Sequence, residues 1–249
     1  MVGVMLLEPI ASQEALLVEA APEPVIDDRR RRWFELCLVL LITVGSSFLS
    51  SLYLLNAGRV ENPARSSLRW INGLFHEVLC MLLLGYVLSR RGKRLRDLGL
   101  RWSFRDLFAG VGIWLAAVLS SFGGALLLHG VHRAIFGPGT PAGLTAQQMF
   151  GHPSYIAIPF FLFNPLFEET IVRAYLMSEV RALTGSWTLA AAVSIVVQTS
   201  YHLYYGWLGA LTLSFQFVIF AIFYARTQKA TPIVVAHGIV DVLALIRLW

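Results

Sequence analysis

Seven stretches dominated by apolar residues follow one another along the chain, at about 33–56, 70–89, 106–132, 154–181, 186–205, 207–225 and 231–249. A helix needs roughly 20 predominantly apolar residues to cross the hydrocarbon core of a bilayer. Helices that are apolar all round are buried either in a large core or in lipid. The pattern therefore predicts an all-α, multi-pass membrane bundle of about seven transmembrane helices. The third stretch is long enough to tilt or to include an interfacial turn. In the fourth, Asn164-Pro165 predicts a helix break that would admit water to the residues just after it. Residues 1–32 differ from the rest. Their apolar positions are interrupted by Glu8, Pro9 and Glu14, and they end in the run Arg29-Arg30-Arg31-Arg32. They read as an N-terminal cytoplasmic tail that stops at the membrane surface, with 33–249 as one transmembrane domain.

Composition supports this picture. Of 249 residues, 57% are hydrophobic and only 14% are charged, and the mean hydropathy is +0.66. An ordinary soluble domain carries about 45–50% apolar and about 25% charged residues. A soluble globular enzyme, a disordered chain and a nucleic-acid-binding module are excluded, and the lipid bilayer is the expected surrounding. The net charge of +5 is unevenly spread. The tail has four arginines, the first connection has three (Arg59, Arg65, Arg69), and the second has seven Lys or Arg between 90 and 105. The third has Arg133 alone, and the connection 203–207 has none. Basic loops stay on the cytoplasmic side, so the N-terminus is expected inside and the C-terminus outside. Cys37 and Cys80 form neither a disulfide framework nor a metal-binding pattern.

A membrane helix carries charge only at some expense, about 2.5–3.5 kcal/mol for a central Asp, Lys or Arg on insertion scales. The fourth stretch nevertheless holds Glu168, Glu169 and Arg173, the fifth ends in Gln198 and His202, and the seventh holds His237 and Asp241. Residues four apart share a helical face. Glu169 and Arg173 then read as an intrahelical ion pair, which leaves Glu168 on another face as the available carboxylate. His237 and Asp241 have the same spacing, so the acid would orient the imidazole. His76-Glu77 in the second stretch shows no such constellation and is expected to be interfacial or structural.

The ordered set Glu168-Glu169-x-x-x-Arg173, then His202, then His237-x-x-x-Asp241 resembles the CPBP family, which contains CAAX prenyl endopeptidases and bacterial homologues linked to bacteriocin processing and immunity. The context from Phe167 to Leu176, FEETIVRAYL, is similar to the family's first motif, and the resemblance covers about 154–245. Two positions depart from the pattern. Gln198 stands where the family usually has Phe, and Asp241 stands where Asn is more common.

The resemblance implies an intramembrane endopeptidase that hydrolyses a peptide bond of a membrane-associated protein or peptide, with 33–249 as its protease domain. Glu168 and His202 would bind and activate a water. His237 and Asp241 would stabilise the oxyanion, and Arg173 would hold Glu169 and the helix in place. Amide hydrolysis needs such a base within reach of a water and donors aimed at the developing oxyanion. Glu168, His202 and His237 would also make a three-ligand zinc site with an open position, so the cofactor expectation is either none or zinc. The expected location is the bacterial cytoplasmic membrane. Two other readings compete: a non-catalytic protein of the same fold that acts in bacteriocin immunity or peptide binding, and a proton-coupled transporter. The inverted repeats and broken helices usual in the transporter class are not visible.

Overall fold

The structure is a computed structural model that describes residues 28–57, 66–138, 148 and 153–249. Most of the tail, the connection with Arg59 and Arg65, and His152 lie outside the described residues. Among the described residues there is no strand. The elements are α1 (Asp28–Ala57), α2 (Ser66–Ser89), a 3-10 turn (Leu95–Leu98), α3 (Phe104–Phe136) and α4 (Ala157–Glu168). A π-helical segment (Glu169–Tyr175) leads into α5 (Leu176–Thr184). Then come α6 (Trp187–Ser200), a second 3-10 turn (Leu203–Tyr205), α7 (Gly206–Thr227) and α8 (Thr231–Leu248). Since α4, the π-helical segment and α5 run on without a gap, seven helical rods are described, one for each apolar stretch. Five helices are long and apolar enough to cross a membrane: α1, α2, α3, α8, and α7 taken with the 3-10 turn before it. The fold is an all-α, multi-pass membrane bundle.

Three rods differ in detail from the sequence pattern. Helix α1 begins at Asp28 and takes Arg29–Arg32 into its first turns. Helix α3 is continuous over 33 residues, about 50 Å at 1.5 Å per residue, with no interfacial turn. Helix α6 has only 14 residues, about 21 Å, and so stops short of the bilayer's full depth of roughly 30 Å. Its start is fixed by Ser186, whose hydroxyl accepts the Leu189 amide at 3.1 Å.

Lipid gives helices no hydrophobic reason to associate, so close approach at small residues supplies the contact. Helix α3 packs along α7 and α8 in this way. A Cβ on Gly110 would lie 2.5 Å from Val235, and one on Gly124 would lie 2.4 Å from the Phe215 ring. The outer surface is apolar, with Leu41, Phe75, Phe108 and Leu119 exposed, as suits lipid contact.

The two ends of the bundle are built differently. At the arginine-rich end, Arg32 of α1 and Arg91 beyond α2 both meet Glu179 of α5, at 3.0 and 2.8 Å. Arg91 also pairs with Glu35, and Arg29 donates to the Leu183 carbonyl at 3.2 Å. Burial opposes the charge on Arg91, but its bonds to Glu179 and Glu35 outweigh this and hold its pKa above the ordinary arginine value. A strap closes the same end. Gly99, at φ +87, accepts from the Ala230 amide at 3.1 Å, and a Cβ there would sit 2.0 Å from the Gln228 carbonyl. The Tyr224 hydroxyl lies 3.2 Å from the Leu98 carbonyl and 3.1 Å from that of Ala174.

Candidate active site

Pro165 lies within α4 without ending it, so the expected break does not occur. The change comes four residues later, where the backbone widens to the i→i+5 bonding of a π-helix. All seven residues of that segment are buried. Glu169 and Arg173 are therefore not set as a tight α-helical pair. The Arg173 Nε stands 3.7 Å from Glu169 Oε2, and the guanidinium instead donates to Ser194 Oγ at 2.7 Å and to Gln198 Oε1. Tyr175, seven positions past Glu168, is buried and does not share in the cavity described below.

The widened turn presents the two glutamates to different partners. Glu168 accepts three hydrogen bonds: from the Tyr201 hydroxyl at 2.9 Å, Gln198 Nε2 at 3.1 Å and Asn164 Nδ2 at 3.3 Å. Glu169 accepts from His237 Nδ1 at 2.8 Å and from Gln198 Nε2 at 3.4 Å. Gln198, where an aromatic residue would be apolar filling, is thus a hub: it accepts from Arg173 and donates to both glutamates. A fully buried guanidinium needs such acceptors, because an unmatched buried charge is costly.

His202 is not on a helix. Helix α6 ends at Ser200, and His202 lies in the turn beyond it, with its amide bonded to the Thr199 carbonyl at 3.1 Å. The ring bonds through Nδ1 to the Gln198 carbonyl at 2.8 Å, which satisfies one of the carbonyls left open at a helix end. Tyr201, Tyr204, Tyr205 and Phe217 surround the ring, with centroids 4.7–6.4 Å away. The next turn is tied to α1 by the Tyr204 amide, which donates to Ser51 Oγ at 2.8 Å. Non-helical backbone at membrane depth is tolerated where it lines a wet cavity or is buried in protein.

Such a cavity is present. It measures about 530 Å³ and is walled by α1, α2, α4, α7, α8 and the turn after α6. Glu168, His202, His237 and Asp241 all line it; Glu169 and Arg173 lie behind it. His237 is held between two acids, with Nδ1 on Glu169 and Nε2 3.5 Å from Asp241. The chain thus brings all four expected chemical residues to one space, and the two expected supporting residues fix the ring and the helix behind them.

Sequence reading missed Glu77. It is only 4% exposed and lines the same cavity. Its Oε1 accepts from Asn164 Nδ2 at 2.9 Å, so one amide group bridges Glu77 and Glu168. Its Oε2 is buried without a partner among the described residues. The available signal was a lone acid in the middle of an apolar stretch.

The residues named for zinc do not fit one as they stand. The Nδ1 atoms of both rings are engaged, His237 by Glu169 and His202 by the Gln198 carbonyl, which leaves only their Nε2 atoms for a metal, and Nε2 of His237 lies 3.5 Å from Asp241. Among the described residues, no three His, Cys, Asp or Glu side chains are placed to hold a metal ion.

Residues 150–243 match the sequence model of a family described as type II CAAX prenyl endopeptidase Rce1-like. No curated protein and no solved structure matches the chain. The matched segment starts ahead of α4, ends within α8, and includes each of the motif residues placed above. This match over residues 150–243 supports a place for the chain in the CPBP family of CAAX-type intramembrane proteases.

Proposed function

We propose that the chain is an intramembrane endopeptidase whose water is activated by Glu168 together with His202. The observation that carries this reading is the shared cavity of Glu168, His202, His237 and Asp241, with three donors fixing the Glu168 carboxylate. A base held in one place removes a proton from water without first reorganising. His202 orients that water from the far side of the cavity. The oxygen of the water bonds to the scissile carbonyl carbon, and the carbonyl oxygen takes up the negative charge. His237 donates from Nε2 to this oxyanion, a role in which the ring carries protons on both nitrogens and Glu169 is its counter-ion. Asp241 keeps Nε2 turned toward the cavity. The tetrahedral intermediate then collapses, the C–N bond breaks, and Glu168 returns its proton to the leaving amine. The substrate on this reading is a membrane-associated protein or peptide, and no metal takes part in any step.

The test compares protein termini in membranes from cells that express the native chain or Glu168→Gln at equal levels. New termini that require Glu168 support proteolysis and identify the substrate. Identical termini, with both chains folded, overturn the reading in favour of a non-catalytic peptide-binding role.

A further inference from the structure

We infer that a basic pocket between the start of α1 and the end of α2 binds the phosphate of an anionic phospholipid. The pocket shares no residue with the cavity around Glu168, and its occupant does not depend on what that cavity does.

Two helix ends build the pocket. Helix α1 supplies Arg31, Arg32 and Glu35 from its first turns, and the turn after α2 supplies Arg90, Arg91 and Lys93. The space between them is about 380 Å³. The turn is tight. Gly92, at φ +64, lets the chain double back, and the amides of Arg91 and Lys93 both donate to the Leu88 carbonyl at 2.9 Å. Three basic residues are thereby gathered within four positions, opposite the two arginines of α1.

Five cations meet two carboxylates here. Glu35 takes Arg31 at 2.9 Å and also Arg91, while Glu179 takes Arg32 at 3.0 Å and Arg91 at 2.8 Å. Arg90 and Lys93 meet no carboxylate among the described residues. The pocket therefore holds a surplus of positive charge, and its paired arginines are already fixed in place. A ligand that binds them spends little on ordering their side chains. Guanidinium forks match the oxygens of a phosphate, and a lysine adds a compact charge.

Depth selects a lipid as the source of that phosphate. Arg31–Glu35 stand at the start of the apolar span 29–56, and Arg90–Lys93 stand just past the span 68–89. That is the level of the headgroups. Trp33 and Phe34 beside the pocket are exposed, as is Tyr86 one turn before Arg90, and exposed aromatic rings mark the membrane–water interface. Basic pockets between transmembrane helices at this depth take anionic headgroups. Keeping a basic loop on one side of a membrane needs charge but no pocket. Arg101 and Arg105 supply such charge from the same connection and lie outside the pocket.

The experiment titrates the full chain, in a neutral detergent, with phosphatidylglycerol that carries a fluorescent acyl chain, and reads anisotropy. Phosphatidylcholine with the same acyl chain is the zwitterionic comparison. The native chain is expected to bind phosphatidylglycerol at least tenfold more tightly than phosphatidylcholine. Arg90→Gln with Lys93→Gln is expected to weaken phosphatidylglycerol binding at least tenfold and to leave phosphatidylcholine unchanged. Arg101→Gln with Arg105→Gln removes the same charge outside the pocket and is expected to change binding less than twofold. The single variants Arg90→Gln and Lys93→Gln, each expected to lose at least threefold, keep the test valid if the double variant gives no monodisperse peak.

Equal affinity of the native chain for the two lipids overturns the inference. Equal losses in the two double variants also overturn it, because loop charge alone then attracts the lipid. Inorganic phosphate at millimolar concentration, with ionic strength held by chloride, is expected not to displace the lipid. Displacement there would assign the pocket to a soluble phosphate and overturn the lipid as its occupant.

Discussion

His237 donates through Nδ1 to Glu169 Oε1 across 2.8 Å and so ties α8 to the π-helical segment. The same carboxylate lies 3.7 Å from the Arg173 guanidinium. Removing one member of a buried charged group costs about 3–5 kcal/mol. Glu169→Ala is expected to lose stability on that scale, read as a lower denaturation midpoint in detergent. Glu169→Gln keeps the size and an acceptor. It is expected to fold with a smaller loss, yet to cleave at least tenfold more slowly.

Gln198 satisfies Arg173 and both glutamates at once. Gln198→Leu fills the space but leaves the guanidinium short of an acceptor and Glu168 short of a donor. A destabilisation of about 1–3 kcal/mol is expected from the unsatisfied buried group, together with a fall in turnover. Gln198→Glu supplies the acceptor but no donor. It should recover stability more than activity, and thermal melts run beside turnover measurements separate the two.

Asn164 bridges Glu77 and Glu168 through one amide nitrogen. Asn164→Ala leaves two carboxylates facing the same cavity without their shared donor. A turnover loss of tenfold or more is expected, larger than that of Glu77→Gln, which removes a charge but keeps the size. Equal losses in the two variants would argue that the bridge itself does nothing.

The Phe215 ring lies where a Cβ on Gly124 would be, 2.4 Å away. Gly124→Leu forces α3 off α7. Overpacking of this kind costs about 1–3 kcal/mol. The expected result is a lower melting temperature, with Gly123→Leu, which meets nothing within 4 Å, as the neutral control.

No set of three metal-binding side chains is in place among the described residues. Cleavage is therefore expected to survive prolonged chelation. A loss on chelation that zinc restores would show that the side chains rearrange around a metal.

Helix number and position were legible because each rod is a separate apolar run bounded by polar residues. Helix α6 was drawn too long because apolar and aromatic residues continue through the turn at Leu203–Tyr205. Nothing in their hydropathy marks the end of the helix. The π-helical register was not legible either. Its seven residues are all buried, so no polar face reports the angle between neighbours. The motif residues were legible as charges in lipid-length stretches. Glu77 carries the same signal, but its partner Asn164 is far along the chain, so no spacing joins it to the motif residues.

The final helix supplies His237 and Asp241, and it packs on both α3 and α4. The matched acid, Glu168, is in place three rods earlier in order of synthesis. The proposed hydrolytic set is therefore split across the time of translation. A ribosome still making α7 holds a chain with the proposed base but without the proposed oxyanion donor, and the cavity still lacks one wall. On the proposed mechanism, newly inserted neighbours in the membrane are safe from the nascent chain until α8 is threaded.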